Sequence, residues 1–166
     1  MKSKILKFLL SVLFSVFVSH AMAAPSKQMS TPQFADYSSL GQVYKGKPAP
    51  VVLRSQDDRY FRTRLRNSSK EPSNFAGEYS LAIWGCGTSC LMGAAVHLKT
   101  GNVIFMPGTI SNWQGEGDSL NFQLKSRLLI ASGYINEEGK HGRHYYEFTG
   151  RTFKHIKTVI TPTELN

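Results

Sequence analysis

The residue types able to do chemistry fall into four groups along the chain. Cys86 and Cys90 are its two cysteines, separated by three residues in the run WGCGTSC. Thioredoxin-like redox sites keep two residues between their cysteines, so that one sulfur sits at a helix N-terminus with a lowered pKa. Here one apolar run of strand length precedes the pair and another follows, and Gly85 and Gly87 flank Cys86. Glycine grants the backbone angles a tight turn needs. The spacing therefore predicts a disulfide across a β-turn in preference to redox catalysis. So small a ring is worth about 2 kcal/mol through the unfolded state. Zinc would need more ligands than these two sulfurs and His97, and a cysteine nucleophile would need a free thiol beside a base.

His141 and His144 stand in HGRH, with His155 further on. If Gly142 lies in a turn, the three imidazoles can converge, as metal ligands do, but no neighbouring carboxylate or cysteine completes the set. The simpler reading is a group of histidines at a hairpin mouth. Glu116 and Asp118 lie in the loop GEGD. A carboxylate pair acts as acid and base where burial separates the two pKa values, and a glycine-rich loop predicts solvated side chains instead. KTGN and TGR read as hairpin turns. No G-x-x-x-x-G-K-[ST], G-x-G-x-x-G or G-x-S-x-G motif occurs, so the known phosphate cradles and the serine elbow are absent from the sequence. No cofactor is expected.

The fourth group is basic. Residues 45–70 hold Lys45, Lys47, Arg54, Arg59, Arg62, Arg64, Arg66 and Lys70 against only Asp57 and Asp58. If Lys2, Lys4 and Lys7 are set aside with a leader, seventeen basic residues face eleven acidic ones, and this segment carries the whole excess. A local excess points to one anion-facing surface instead of general stickiness. Phosphates, sulfates, acidic sugars and acidic protein faces all suit guanidinium groups. Nucleic acid does not fit an exported chain in which Tyr60 and Phe61 alone would have to stack bases.

The elements that must position these groups follow from pattern. In RSQDDRYFRTRLRNSSKEP, Phe61, Thr63 and Leu65 alternate with arginines as in a strand, yet the capping signals favour a helix. Ser55 and Asp58 form a variant capping box, Asp57 and Asp58 sit where a helix N-terminus favours negative charge, and Asn67-Ser68-Ser69 with Pro72 supplies a stop. Asp58 and Arg62, one turn apart, are placed to pair. At 100° per residue Arg59, Arg62 and Arg66 form one stripe, with Phe61 and Leu65 on the opposite side; Arg64, Lys45 and Lys47 are nearby in sequence.

Pro48 and Pro50 lead into Val51-Val52-Leu53, read as a short edge strand. From Tyr79 onward, YSLAIW, LMGAAVHL, VIFM, SLNFQL, RLLIASGYI, HYYEF and TFKHIKTVI read as strands joined by short turns. Strands so spaced, without helices between them, imply an α+β domain that is mainly antiparallel β, a curled sheet, barrel or sandwich with one short N-terminal helix. Asn74-Phe75-Ala76-Gly77 reads as a bend that places Phe75 at a core edge, and Trp84 is expected to pack against the disulfide.

The chain begins with a basic start, an apolar stretch Phe8–Val18 and Ala21-Met22-Ala23, the order of a secretory signal cut after Ala23. The apolar stretch is too short for a permanent span, so no transmembrane segment is expected after cleavage. The 143 residues that follow fit one domain: a loose Ser-, Pro- and Gln-rich arm over 24–44, then a β-rich domain over 45–166. The periplasm or the medium of a bacterium is the expected location, where a disulfide persists.

The run RTRLRNSSKEPSNFAGEYSLAIWGCGTSCLMGAAVHLKTGNV, with SRLLIASG and HYYEFTG downstream, resembles an uncharacterised family of exported bacterial proteins. Its core reads N-F-A-G-x-Y, then W-G-C-G-x-x-C, then a strand ending near T-G. The resemblance covers roughly residues 45–157, and the Gly-Cys core is its most specific part. It implies export and architecture but no activity. The chain departs from the pattern at Glu78, where His is expected, and at His97, where Asp is expected ahead of K-T-G.

Together these readings favour an exported binding module whose basic helix face contacts an anionic envelope polymer or an acidic protein. The alternatives are a small periplasmic hydrolase on Glu116 or Asp118, a metalloenzyme on the histidines, or a thiol oxidoreductase.

Overall fold

Among the described residues, turn chemistry and alternation lay out eight strands: β1 Tyr79–Gly87, β2 Cys90–His97, β3 Val103–Phe105, β4 Ile110–Ser111, β5 Leu120–Phe122, β6 Leu128–Ile135, β7 Glu138–Phe148 and β8 Phe153–Ile160. The computed structural model describes residues 30–161, so the expected signal, residues 1–23, and the first part of the expected arm lie outside the described residues. All strand pairs are antiparallel and belong to one sheet. Its path runs β1-β2-β4-β6-β7-β8, with β3 paired to β2 and β5 to β6, and β1 and β8 are its unpaired ends. The protein is mainly antiparallel β, as its sequence implies, and the sheet is open.

The turns explain the register. Between β6 and β7 only Asn136 and Glu137 intervene, and both take left-handed angles, φ 55° and 62°. A two-residue turn of that kind matches the natural twist of paired strands. Before β1, the bend read at residues 74–77 is real. Ala76 and Gly77 have φ 47° and 81°, and a Cβ on Gly77 would stand 2.6 Å from the Gly41 carbonyl oxygen. This bend drops Phe75 into the core, where it is fully buried.

Alternation along β1 feeds two apolar clusters on opposite faces of the sheet. Tyr79 and Leu81 join Phe75, Ala95, Ile110, Leu129, Ala131, Tyr146, Phe148 and Phe153 in the larger one. Ala82 and Trp84 join Leu65, Ala94 and Val96 in the smaller, with Phe61, Met92 and Phe105 against it. The first cluster binds the sheet to itself. The second binds the helical segment to the outer face of β1 and β2.

That segment is two short helices end to end, α1 Gln56–Tyr60 and α2 Arg62–Ser68, instead of the single helix expected. The break is at Phe61, whose ψ of 12° leaves the helical region. Hydrogen bonding crosses it, since Phe61 N donates to Asp57 O at 2.9 Å and Leu65 N to Phe61 O at 3.1 Å. The ring of Phe61 lies 4.9 Å from that of Trp84, so the distortion accompanies insertion of Phe61 beside Leu65 in the smaller cluster.

Two further corrections concern short segments. Val51-Val52-Leu53 is not a strand. Proline removes the donor at 50, and of the three residues only Val52 N is tied to neighbouring backbone, at 2.9 Å from Gly101 O. Conversely, Ile110–Ser111 forms β4, which two residues after Pro107-Gly108 do not announce. The described part of the expected arm carries a 3-10 turn, Phe34–Asp36. Ser126 Oγ lies 2.9 Å from both Phe34 O and Tyr37 O, which share its one hydroxyl hydrogen, and Tyr44 N donates to Gly77 O at 2.9 Å. Among the described residues, no helix is long and apolar enough to cross a membrane.

Candidate functional site

The basic face is built from the start of α1. Ser55 Oγ accepts from Asp58 N at 3.0 Å, and the buried Asp58 carboxylate accepts from Arg54 N and Ser55 N, both at 2.7 Å. This is the capping box read from sequence, with three orphan backbone donors satisfied by two side chains. It also overturns the expected Asp58–Arg62 pair. Asp58 faces inward and is engaged, and Arg62 Nη1 donates instead to Arg59 O at 2.9 Å.

With its one inward acid so occupied, the helical segment presents Arg59, Arg62, Arg64 and Arg66 to solvent. Arg59 Nη1 donates to Ser55 O at 3.1 Å. Among the described residues no carboxylate lies within 4.0 Å of any of the four guanidinium groups. Each is left with N–H groups for an external acceptor. The opposite side, Phe61 and Leu65, is anchored in the smaller apolar cluster, so the stripe is held at fixed orientation on the sheet.

Beside the stripe a cleft of about 520 Å³ opens between the helices and the tip of β1–β2. Tyr60, Phe61, Arg64, Trp84, Cys86 and Met92 line it, with Thr63 and Gly85. Trp84 is 5% exposed, and its buried indole N–H has no protein acceptor. Its ring lies near Phe61 and Phe105, at 4.9 and 6.4 Å, so Trp84 packs on the helix and the sheet as well as sharing a cleft with the disulfide. The Arg64 guanidinium carbon stands 6.0 Å from the indole centroid. Sequence reading missed this cleft. Its signal was the run Tyr60-Phe61 ahead of the arginines, together with a tryptophan at strand position 84.

No family model, no curated protein and no solved structure matches the chain.

Cys86 and Cys90 form the predicted disulfide at the β1–β2 tip. His97 lies at the other end of β2 from Cys90, so it does not join the sulfurs. Its Nε2 is 3.2 Å from Glu78 Oε2 and its Nδ1 is 2.9 Å from Thr100 Oγ1. Lys99 donates to the other oxygen of Glu78. That hydrogen bond, with the charges of Lys99 and His97, holds the Glu78 carboxyl below its ordinary range.

The three histidines do not share one site. Residues 141 and 144 fall on opposite faces of β7 by alternation. His141 reaches Thr161 O and Asn112 O, at 3.2 and 3.1 Å, and stacks on Trp113 at 5.3 Å. His144 Nε2 donates to Gly133 O and its Nδ1 meets Thr158 Oγ1, both at 3.0 Å, while His155 Nε2 meets the same hydroxyl at 2.8 Å. Burial lowers the pKa of His144. Among the described residues no group of three His, Cys, Asp or Glu is arranged to hold a metal ion. Glu116 and Asp118 are both exposed, and the second lines a cleft of about 530 Å³ over Cys90, Ser111 and Trp113.

Proposed function

We propose that this protein is an exported binding module that holds an anionic partner on the face made by α1 and α2. One observation carries the reading. Four exposed guanidinium groups on consecutive helical turns lack acidic partners among the described residues, while the neighbouring Asp58 is committed to capping. A purely solvated basic helix commonly gathers acidic residues three or four positions away, which offset part of its self-repulsion. Here that repulsion stands, and the apolar anchor fixes the groups in place. An anionic polymer or an acidic protein surface brought to this face relieves it.

Export belongs to the same proposal. A disulfide at the β1–β2 tip fits an oxidising compartment, and the N-terminal residues have the order of a secretory signal. The test replaces Arg59, Arg62 and Arg66 together by Gln and measures retention on an anionic matrix against salt. Loss of retention at lower salt than for the parent supports the reading. Unchanged retention removes it.

A further inference from the structure

We propose that the cleft beside Arg64 takes an acidic sugar, a pyranose ring bearing a carboxylate, as one unit of a longer anionic glycan. This rests on the basic-face reading and narrows it to one class of polymer.

Three features of the cleft converge on that chemistry. Tyr60 is 77% exposed, more than any other large aromatic or aliphatic side chain among the described residues, and its ring stands edge-on to Phe61 at 4.8 Å. A ring so placed offers an electron-rich face to the weakly positive C–H groups on the apolar side of a sugar. Arg64 is the one arginine of the four that lines the cleft, held over the Trp84 ring. It supplies a planar, charged donor pair to a carboxylate. Below it the Trp84 N–H is buried with no protein acceptor. Native proteins rarely leave such a donor unpaired, and a hydroxyl or carboxylate oxygen drawn in as the exposed Arg64 side chain shifts would satisfy it.

The surroundings favour a polymer over a single sugar. Arg59, Arg62 and Arg66 add exposed positive charge on α1 and α2 outside the cleft, so a longer anionic chain meets more charge than one sugar does. An acidic polypeptide would meet the same charges but has no ring to lay on Tyr60. A neutral glycan has the ring without the charge. The cleft answers to both features at once.

The experiment titrates the protein with an oligogalacturonate, a neutral malto-oligosaccharide of equal length and a polyglutamate of equal charge, at low and moderate salt. Binding is followed by calorimetry and by indole fluorescence. Tyr60→Ala and Arg64→Gln change exposed side chains, and circular dichroism checks that each variant keeps the parent fold. The expected result is that oligogalacturonate binds and shifts the emission. Each substitution should weaken it by about fivefold or more, and polyglutamate should bind about tenfold more weakly. Equal affinity for polyglutamate and oligogalacturonate, or unchanged affinity in both variants, overturns the proposal. If Arg59→Gln/Arg62→Gln/Arg66→Gln loses polyanion binding while Tyr60→Ala and Arg64→Gln do not, the basic face stands and the sugar cleft falls. If no polyanion binds the parent at any salt, both fall.

Discussion

Glu78 and His97 meet at the start of β1 and the end of β2, with Oε2 and Nε2 3.2 Å apart. Thr100 Oγ1 on the ring's other nitrogen completes a hydroxyl–imidazole–carboxylate line. The geometry suits positioning more than catalysis. Thr100 is exposed in a hairpin turn, lines none of the clefts described above, and the carboxylate is shared with Lys99.

Glu78→Gln should therefore act on stability. At pH 7 it removes the charge that both Lys99 and His97 face at a partly buried site, a loss of about 1 kcal/mol. The Glu78 carboxyl is held below its ordinary value in the fold. Its contribution is thus full above the unfolded carboxyl pKa and is lost as pH falls through the lower folded value. Urea unfolding of parent and variant should differ at pH 7 and converge as pH falls below the ordinary carboxylate range. A constant difference across that range would count against this account.

Asp58→Ala should cost about 1–2 kcal/mol, because it strips the acceptor from Arg54 N and Ser55 N where the helical segment starts. Asp58→Asn keeps an acceptor oxygen and should recover part of the loss. Since the four arginines ride on α1 and α2, the Ala variant should also release from an anionic matrix at lower salt. Thermal melts and the salt-elution point read the two effects separately.

His144 carries a predicted acid sensitivity. Burial lowers its pKa in the fold, with His155 and His141 as nearby like charges and the Gly133 and Lys140 backbone acting the other way. The neutral ring is the folded form. Stability is then complete above the unfolded histidine value, near 6.5, and declines as pH drops through the folded one. His144→Gln should flatten the stability profile below about pH 6.5 relative to the parent, at a cost in absolute stability because the bonds to Gly133 O and Thr158 are disturbed. An unchanged slope would assign the sensitivity to another group.

What was legible in the sequence was what period and turn chemistry encode. The β1–β2 hairpin with its sulfur pair, the β6–β7 turn and the Ser55–Asp58 cap all depend on residues within a few positions of each other. The misreadings share the opposite property. Val51–Leu53 has strand composition, but its fate depends on Gly101 some fifty residues away. The break at Phe61 depends on Trp84 and Phe105. The histidines read as a group at a hairpin mouth, whereas His141 and His144 are buried, on opposite faces of β7, by partners far away in the chain. The cleft of Tyr60, Arg64 and Trp84 draws on two segments that no local pattern joins.

The disulfide supplies the last prediction. Neither Cys86 nor Cys90 belongs to an apolar cluster, and the β1–β2 ladder continues from Tyr79↔His97 through Gly85↔Leu91 without them. Cys86→Ser/Cys90→Ser should therefore fold to the same near-ultraviolet spectrum as the parent. Its loss comes from the unfolded chain, which regains the freedom of a short loop, worth about 2 kcal/mol. The urea midpoint should fall while the slope holds or rises slightly, because an uncrosslinked chain exposes as much surface or a little more. Failure to fold, or a loss well above that figure, would mean that the tip is needed to assemble the sheet. In that case the wall of the Tyr60 cleft carrying Cys86 would be a condition of folding and not a detachable edge.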